Sequence, residues 1–134
     1  MKRSPETELL RANAAFYDAF ASQDMEAMDE LWARGLPVVC IHPGWPPLFG
    51  RDEVMDSWRA ILLGENAPHI ECEQPQPAAF GESGFVVCIE RIEGDPLVAT
   101  NTFALQNGVW QLVHHHGGPM NVETAPEPTD RTLN

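Results

Sequence analysis

The residues best suited to chemistry in this chain are its histidines. Of the five, His42 closes a β-branched run, and His114, His115 and His116 close the last apolar alternation. An unperturbed imidazole titrates near ~6.5, so a modest shift lets it take or give a proton around neutrality. Alternate side chains of a strand share a face. That alternation groups His114 and His116 with Trp110 and Leu112, and sets His115 on the opposite face with Val113. A cavity lined by this strand would therefore receive His114 and His116. The same pair with His42 also satisfies the donor count of a three-histidine metal centre. Such a pattern recurs by chance, and no metal ligand is assigned.

Two further polar residues break apolar runs. Asn101 sits within LVATNTFAL, in register with Leu97, Ala99, Phe103 and Leu105. An amide there needs a partner or a ligand, because burying it unpaired costs ~1–3 kcal/mol. Glu90 interrupts FVVCIERI, and alternation alone leaves open whether it faces inward with Val86, Cys88 and Ile92 or outward. Phe16, Phe20, Trp45 and Trp58 are the aromatic surface of a core or of a ligand-stacking wall. The three cysteines, Cys40, Cys72 and Cys88, lack C-x-x-C spacing and lie in or beside apolar runs. This usage is expected of reduced, buried thiols in a cytoplasmic protein.

These residues must be positioned by two kinds of element. Ser4 and Pro5 suit an N-cap and first helical position, and Leu9, Ala12, Phe16 and Phe20 recur at helical spacing, predicting a helix over about 5–21. Asp24 caps a second helix bearing Met25, Met28, Leu31 and Trp32, stopped by Gly35. A strand over 36–42 runs into HPGWPPLFG, which is too rich in Pro and Gly for regular structure. Gly50 opens a third helix with Val54, Trp58, Ile61 and Leu62 on its buried face, ended by Gly64. Four extended segments follow, about 69–80, 84–93, 97–106 and 109–116. The last two are joined by Asn107-Gly108, the strongest signal for a type I′ hairpin. The order α-α-β-α-β-β-β-β predicts an α+β fold, with three helices packed on one face of a curved, mostly antiparallel sheet.

Composition bounds what such a domain can do. The 134 residues are 43% hydrophobic and carry a formal net charge of -12, which fits one domain over 1–119 and a flexible C-terminal tail over 120–134. That charge repels phosphate backbones and anionic bilayers, so no nucleic-acid or membrane partner is expected. The start, MKRSPETELL, lacks the apolar run of a signal peptide, and no segment approaches the ~18 apolar residues of a membrane span. There is no Walker loop, G-x-G-x-x-G, G-x-S-x-G or H-E-x-x-H, so no cofactor is expected.

Three segments carry a family resemblance: NAAFYDAFASQDMEAMDELWARG (13–35), VVCIHPGWPPLFGRDEVMDSWRAIL (38–62) and NTFALQNGVWQLVHHHGGP (101–119). Together they resemble the SnoaL-like branch of the nuclear-transport-factor-two-like, or cystatin-like, cone superfamily, which includes ketosteroid isomerase and scytalone dehydratase. The resemblance implies a cone-shaped barrel with an interior ligand cavity. It aligns His42-Pro43 with the isomerase's Asp-Pro base, Asn101 with its protonated oxyanion-hole carboxyl, and Phe16 with its tyrosine. In that register Tyr17 points about 100° aside on the helix. The same register turns Trp58, Val86, Cys88, Glu90, His114 and His116 inward. The implied activity is binding of a small apolar carbonyl compound, with His42 as base, Asn101 steadying an oxyanion, and His114 or His116 returning the proton. Phe16, Phe20, Trp45, Trp58, Cys88 and Glu90 would contact the ligand. The alternatives are a non-catalytic binding or dimerisation module and the histidine metal site. A homodimer through the open sheet face is also implied, and the small outward set Val98, Thr100, Thr102 and Ala104 suits it.

Overall fold

Helix formation begins where the caps permit it. In the computed structural model, which describes residues 3–121, Ser4 Oγ accepts from Thr7 N at 3.1 Å and starts α1, Pro5–Ala21. Asp24 Oδ1 accepts from Ala27 N at 3.0 Å and starts α2, Met25–Leu31. Gly50, at φ 87, precedes α3, Arg51–Leu62, a backbone angle that most side chains resist. The strands are β1 (Val39–Ile41), β2 (Leu48–Phe49), β3 (Ile70–Phe80), β4 (Ser83–Ile92), β5 (Asp95–Gln106) and β6 (Val109–Pro119). The short β2 lies within the Pro/Gly-rich segment expected to be irregular; it pairs with β1 through Val39↔Phe49 and Cys40↔Leu48.

The six strands form one sheet in the order β2-β1-β6-β5-β4-β3. All pairs are antiparallel except β1 with β6. Asn107 and Gly108 both take positive φ, 51 and 80, as a type I′ turn requires. Two irregularities bend the sheet. One falls on β3 between Glu73 and Gln76, and the other opposes Thr102–Phe103 to Leu112–His114, leaving Val113 as the extra residue on β6. A bulge increases local twist and re-aims the side chains beyond it.

The helices fill the concave side. Leu9, Phe16, Phe20, Met28, Trp32, Val54, Trp58 and Leu62 pack with Val86, Cys88, Phe103 and Leu112 in one buried cluster. Helix α1 lies so close to β4 that a Cβ on Gly84 would fall 2.5 Å from Leu9 Cδ1. Arg51 fastens α3 to the end of α2, donating to Asp29 Oδ1 at 2.7 Å, Asp29 O at 2.8 Å and Trp32 O at 2.8 Å. This is the expected α+β cone. Among the described residues no helix is long and apolar enough to cross a membrane. The tail expected to be flexible falls, from 122 onward, outside the described residues.

Candidate functional site

The bulge at Val113 decides which histidine enters the cone. Before it, Trp110 and Leu112 face inward; after it, His115 and Gly117 do, and His115 is 1% exposed. His114 and His116 therefore lie on the outer face, with their rings 6.3 Å apart, and His116 is exposed. The sequence expectation assigned them to the cavity because strict alternation was carried through a strand that breaks it. Correspondingly, His42, inside, and His114 and His116, outside, cannot share one metal ion.

His42 follows β1 and is buried against α3. Its Nε2 lies 2.9 Å from Ser57 Oγ, whose proton is given to Val54 O at 2.7 Å. A hydroxyl has a single proton, so His42 donates from Nε2 and keeps Nδ1 as its basic nitrogen. Ser57 was not anticipated; its i−3 bond to a helix carbonyl leaves no mark in the sequence beyond a lone polar residue on an apolar helix face. Trp58 packs against both imidazoles, 4.7 Å from His42 and 5.9 Å from His115 by ring centroids, the two imidazoles being 6.3 Å apart, and Phe16 backs His115 at 5.0 Å.

Glu90 faces inward, 1% exposed, which resolves the alternatives left by its strand. Its Oε2 accepts from Tyr17 O–H at 2.5 Å and lies 3.9 Å from His115 Nε2. Tyr17 was expected to point aside, yet it is buried together with Phe16, because the curved sheet wraps a wide arc of α1. Asn101 is held wholly inside the protein. Its Nδ2 donates to Asn13 Oδ1 at 2.9 Å and Tyr17 Oη at 3.1 Å, and its Oδ1 is 2.5 Å from His115 Nδ1. No N–H remains for an oxyanion, so the structure does not support the expected role of Asn101 as an oxyanion donor. Cys88 Sγ lies 3.2 Å from Tyr17 Oη, beneath the cavity.

A cavity of about 530 Å³ opens beside these groups, lined by Phe20, His42, Trp45, Ile61, Glu90 and His115 among others. Phe16, Trp58 and Cys88, expected to contact the ligand, and Asn101 are not among its lining residues. Trp45, 44% exposed, stands at the mouth with its ring 4.8 Å from that of His42. Burial governs protonation here. It lowers His42 to about 4. Burial, helped by His42, His114 and His116, lowers His115 to about 3. Burial also raises Glu90, against the opposing pull of the Tyr17 bond, and raises Tyr17 well above its ordinary value. Near neutrality the site thus presents two uncharged imidazoles beside a carboxyl that resists ionisation.

Residues 9–121 match the SnoaL-like domain family. The chain belongs to the SnoaL-like family. This SnoaL-like chain is 30% identical to a candidate dehydratase of the NTF2-like family from Streptomyces avermitilis, with a TM-score of 0.81 over 87% of this chain and 96% of that one. A candidate calcium/calmodulin-dependent protein kinase type II association domain from Thiobacillus denitrificans is 27% identical, with a TM-score of 0.73 over 82% of this chain and 93% of that one. F-box protein SKIP8 of Arabidopsis thaliana is 26% identical over 117 residues, covering 86% of the SnoaL-like chain and 51% of that protein. The chain spans about half the length of this curated relative. Among the described residues of the SnoaL-like domain, no three His, Cys, Asp or Glu side chains are grouped to hold a metal.

Proposed function

We propose that this SnoaL-like protein binds a small, uncharged, carbonyl-bearing molecule in its cone and catalyses cofactor-independent proton transfer, most simply loss of water from a β-hydroxy carbonyl compound. The observation that carries this reading is the His115–Glu90 pair, 3.9 Å apart on the wall of a mostly apolar cavity of about 530 Å³. His115 Nε2 takes the proton α to the carbonyl, and that electron pair becomes the new C=C bond. The C–O bond to the β-hydroxyl breaks as Glu90 gives that oxygen a proton, and water leaves. The released water relays the imidazolium proton across the 3.9 Å gap to the carboxylate, restoring both groups. His42 Nδ1 accepts a hydrogen bond from the ligand hydroxyl, while Phe20, Trp45 and Ile61 supply apolar contact. The similarity to a candidate dehydratase supports this reaction class over isomerisation or cyclisation.

The test uses β-hydroxy ketones and esters, followed by enone absorbance and by deuterium uptake at the α carbon in D2O. Turnover is expected, with His115→Ala losing about 100-fold or more, the usual scale of a general base, and Glu90→Gln slowing dehydration more than exchange. No exchange with any compound, while ligands still raise the melting temperature, would assign the cone to binding alone.

A second reading has its own support. The likeness to an association domain favours self-association, through the outer sheet face that carries Val98, Thr100, Thr102, Ala104, His114 and His116. Light scattering after size exclusion should give a dimer, and a strict monomer at micromolar concentration would contradict it. The three free thiols support a reducing, cytoplasmic location.

A further inference from the structure

The hydrogen bonds behind the cavity have a direction, and that direction assigns roles. Tyr17 Oη is 2.5 Å from Glu90 Oε2 and 3.1 Å from the Asn101 amide. A phenol has one proton to give. With it committed to the shorter contact, Tyr17 must accept from Asn101, which places Nδ2 on that side. The second Nδ2 proton goes to Asn13 Oδ1, whose own amide nitrogen is turned toward Cys72 Sγ at 3.6 Å. Asn101 Oδ1 is left facing His115 Nδ1 at 2.5 Å, and an amide oxygen can only accept. The reverse polarity, with Nδ2 toward His115, would set Asn101 Oδ1 against both Asn13 Oδ1 and a phenol oxygen already donating elsewhere.

We propose that Asn101 is the positioning residue of this site: it holds His115 as the Nδ1–H tautomer, so that Nε2 is the proton acceptor presented to the cavity. Asn13 and Tyr17 fix the amide, and the amide fixes the imidazole. Three residues from α1 and β5 thereby set which nitrogen on β6 is basic. The arrangement also sets the ring plane, since Phe16 and Trp58 pack against the same imidazole. Nε2 faces Glu90 Oε2 at 3.9 Å, beyond hydrogen-bonding distance, and is therefore free for a ligand proton. The catalytic consequence rests on the acid–base reading above; the tautomer itself does not.

Long-range 1H–15N correlation spectra of the full chain, labelled at histidine nitrogens, test this without any substrate. His115 is expected to show a protonated Nδ1 and an unprotonated Nε2 in the wild type. Asn101→Ala is expected to lose that preference, giving mixed or Nε2–H imidazole. Asn101→Asp, which keeps an acceptor at Nδ1, should retain it and move the His115 protonation midpoint upward; this variant serves if the alanine form fails to fold. A wild-type His115 carrying its proton on Nε2 would overturn the proposal. So would an Nδ1–H tautomer unchanged in Asn101→Ala, or an unmoved midpoint in Asn101→Asp. An Nδ1–H tautomer in a protein that turns over no β-hydroxy carbonyl compound would leave this assignment standing and remove the proposed reaction.

Discussion

The Tyr17 hydroxyl donates to Glu90 Oε2 over 2.5 Å, joining the middle of α1 to the inner face of β4 beneath the cavity. Burial raises both groups, and the bond between them opposes that rise at Glu90. Replacing Tyr17 by Phe removes the bond while keeping the ring that packs 4.8 Å from Phe16. The Glu90 midpoint, followed by carboxyl 13C chemical shift, should rise further. Stability in urea should fall by about 1–3 kcal/mol, the cost of stranding buried partners. A midpoint that moves down would contradict this account of the pair.

Acid should destabilise the fold through its interior histidines. His42 and His115 have folded values of about 4 and about 3, against 6.5 for an ordinary imidazole. Between about 6.5 and those values the unfolded chain binds protons that the native state refuses, so stability is full above the window and is lost as pH falls through it. At pH 5 each histidine costs on the order of 2 kcal/mol. Glu90 acts in the opposite sense, because its raised value favours the native state at lower pH. Glu90→Gln removes that opposing contribution and leaves the two histidines. In this variant the melting temperature measured from pH 7 to 5 should fall, and adding His42→Gln should flatten the slope. A flat profile for Glu90→Gln would sink the argument.

Two arginines bound to one aspartate should differ greatly in effect. Arg51 bonds Asp29 Oδ1, Asp29 O and Trp32 O with its side chain only 22% exposed, whereas Arg34 reaches Asp29 Oδ2 at 2.6 Å with its side chain 55% exposed. Arg51→Ala strands two backbone carbonyls at the α2–α3 junction and should cost about 2–4 kcal/mol. Arg34→Ala should cost about 0–1 kcal/mol, as an exposed pair does. Chemical denaturation of both variants checks the contrast, and equal losses would refute it.

Adjacent glycines on β6 separate crowding from flexibility. A Cβ on Gly117 would lie 3.2 Å from Glu90 Oε1 and 3.4 Å from Pro43 Cγ, while one on Gly118 would meet nothing within 4 Å. Gly117→Ala should therefore push the Glu90 carboxyl toward the cavity, cost about 1–3 kcal/mol, and weaken ligand binding. Gly118→Ala should leave stability within about 0.5 kcal/mol. The pair can be compared by thermal melts, and indistinguishable melts would show that the carboxyl is not crowded there.

Local chemistry determined much of this protein before any tertiary contact. Ser4, Asp24 and Gly50 mark the helix starts, Asn107-Gly108 dictates its turn, and the inward aromatic positions follow from the 3.6-residue period; each depends on neighbours within a few residues. The interest of His42 and Asn101 was legible for the same reason, as polar groups set in apolar runs. What they touch was not. Strand parity holds only while the ladder is regular, and the extra residue at Val113 reverses it, so that the cone receives His115 and excludes His114 and His116. Tyr17 joins the site because a strongly curved sheet buries a wider arc of α1 than a flat one would. The inward face of Glu90 and the Ser57 partner of His42 depend equally on contacts between residues 73 and 15 positions apart. The sequence alone determined which residue types would be available to the cavity. Only the bend of the sheet decided which of them face it, and only tertiary partners, Ser57 on α3 for His42 and Asn101 on β5 for His115, bear on which nitrogen each imidazole presents.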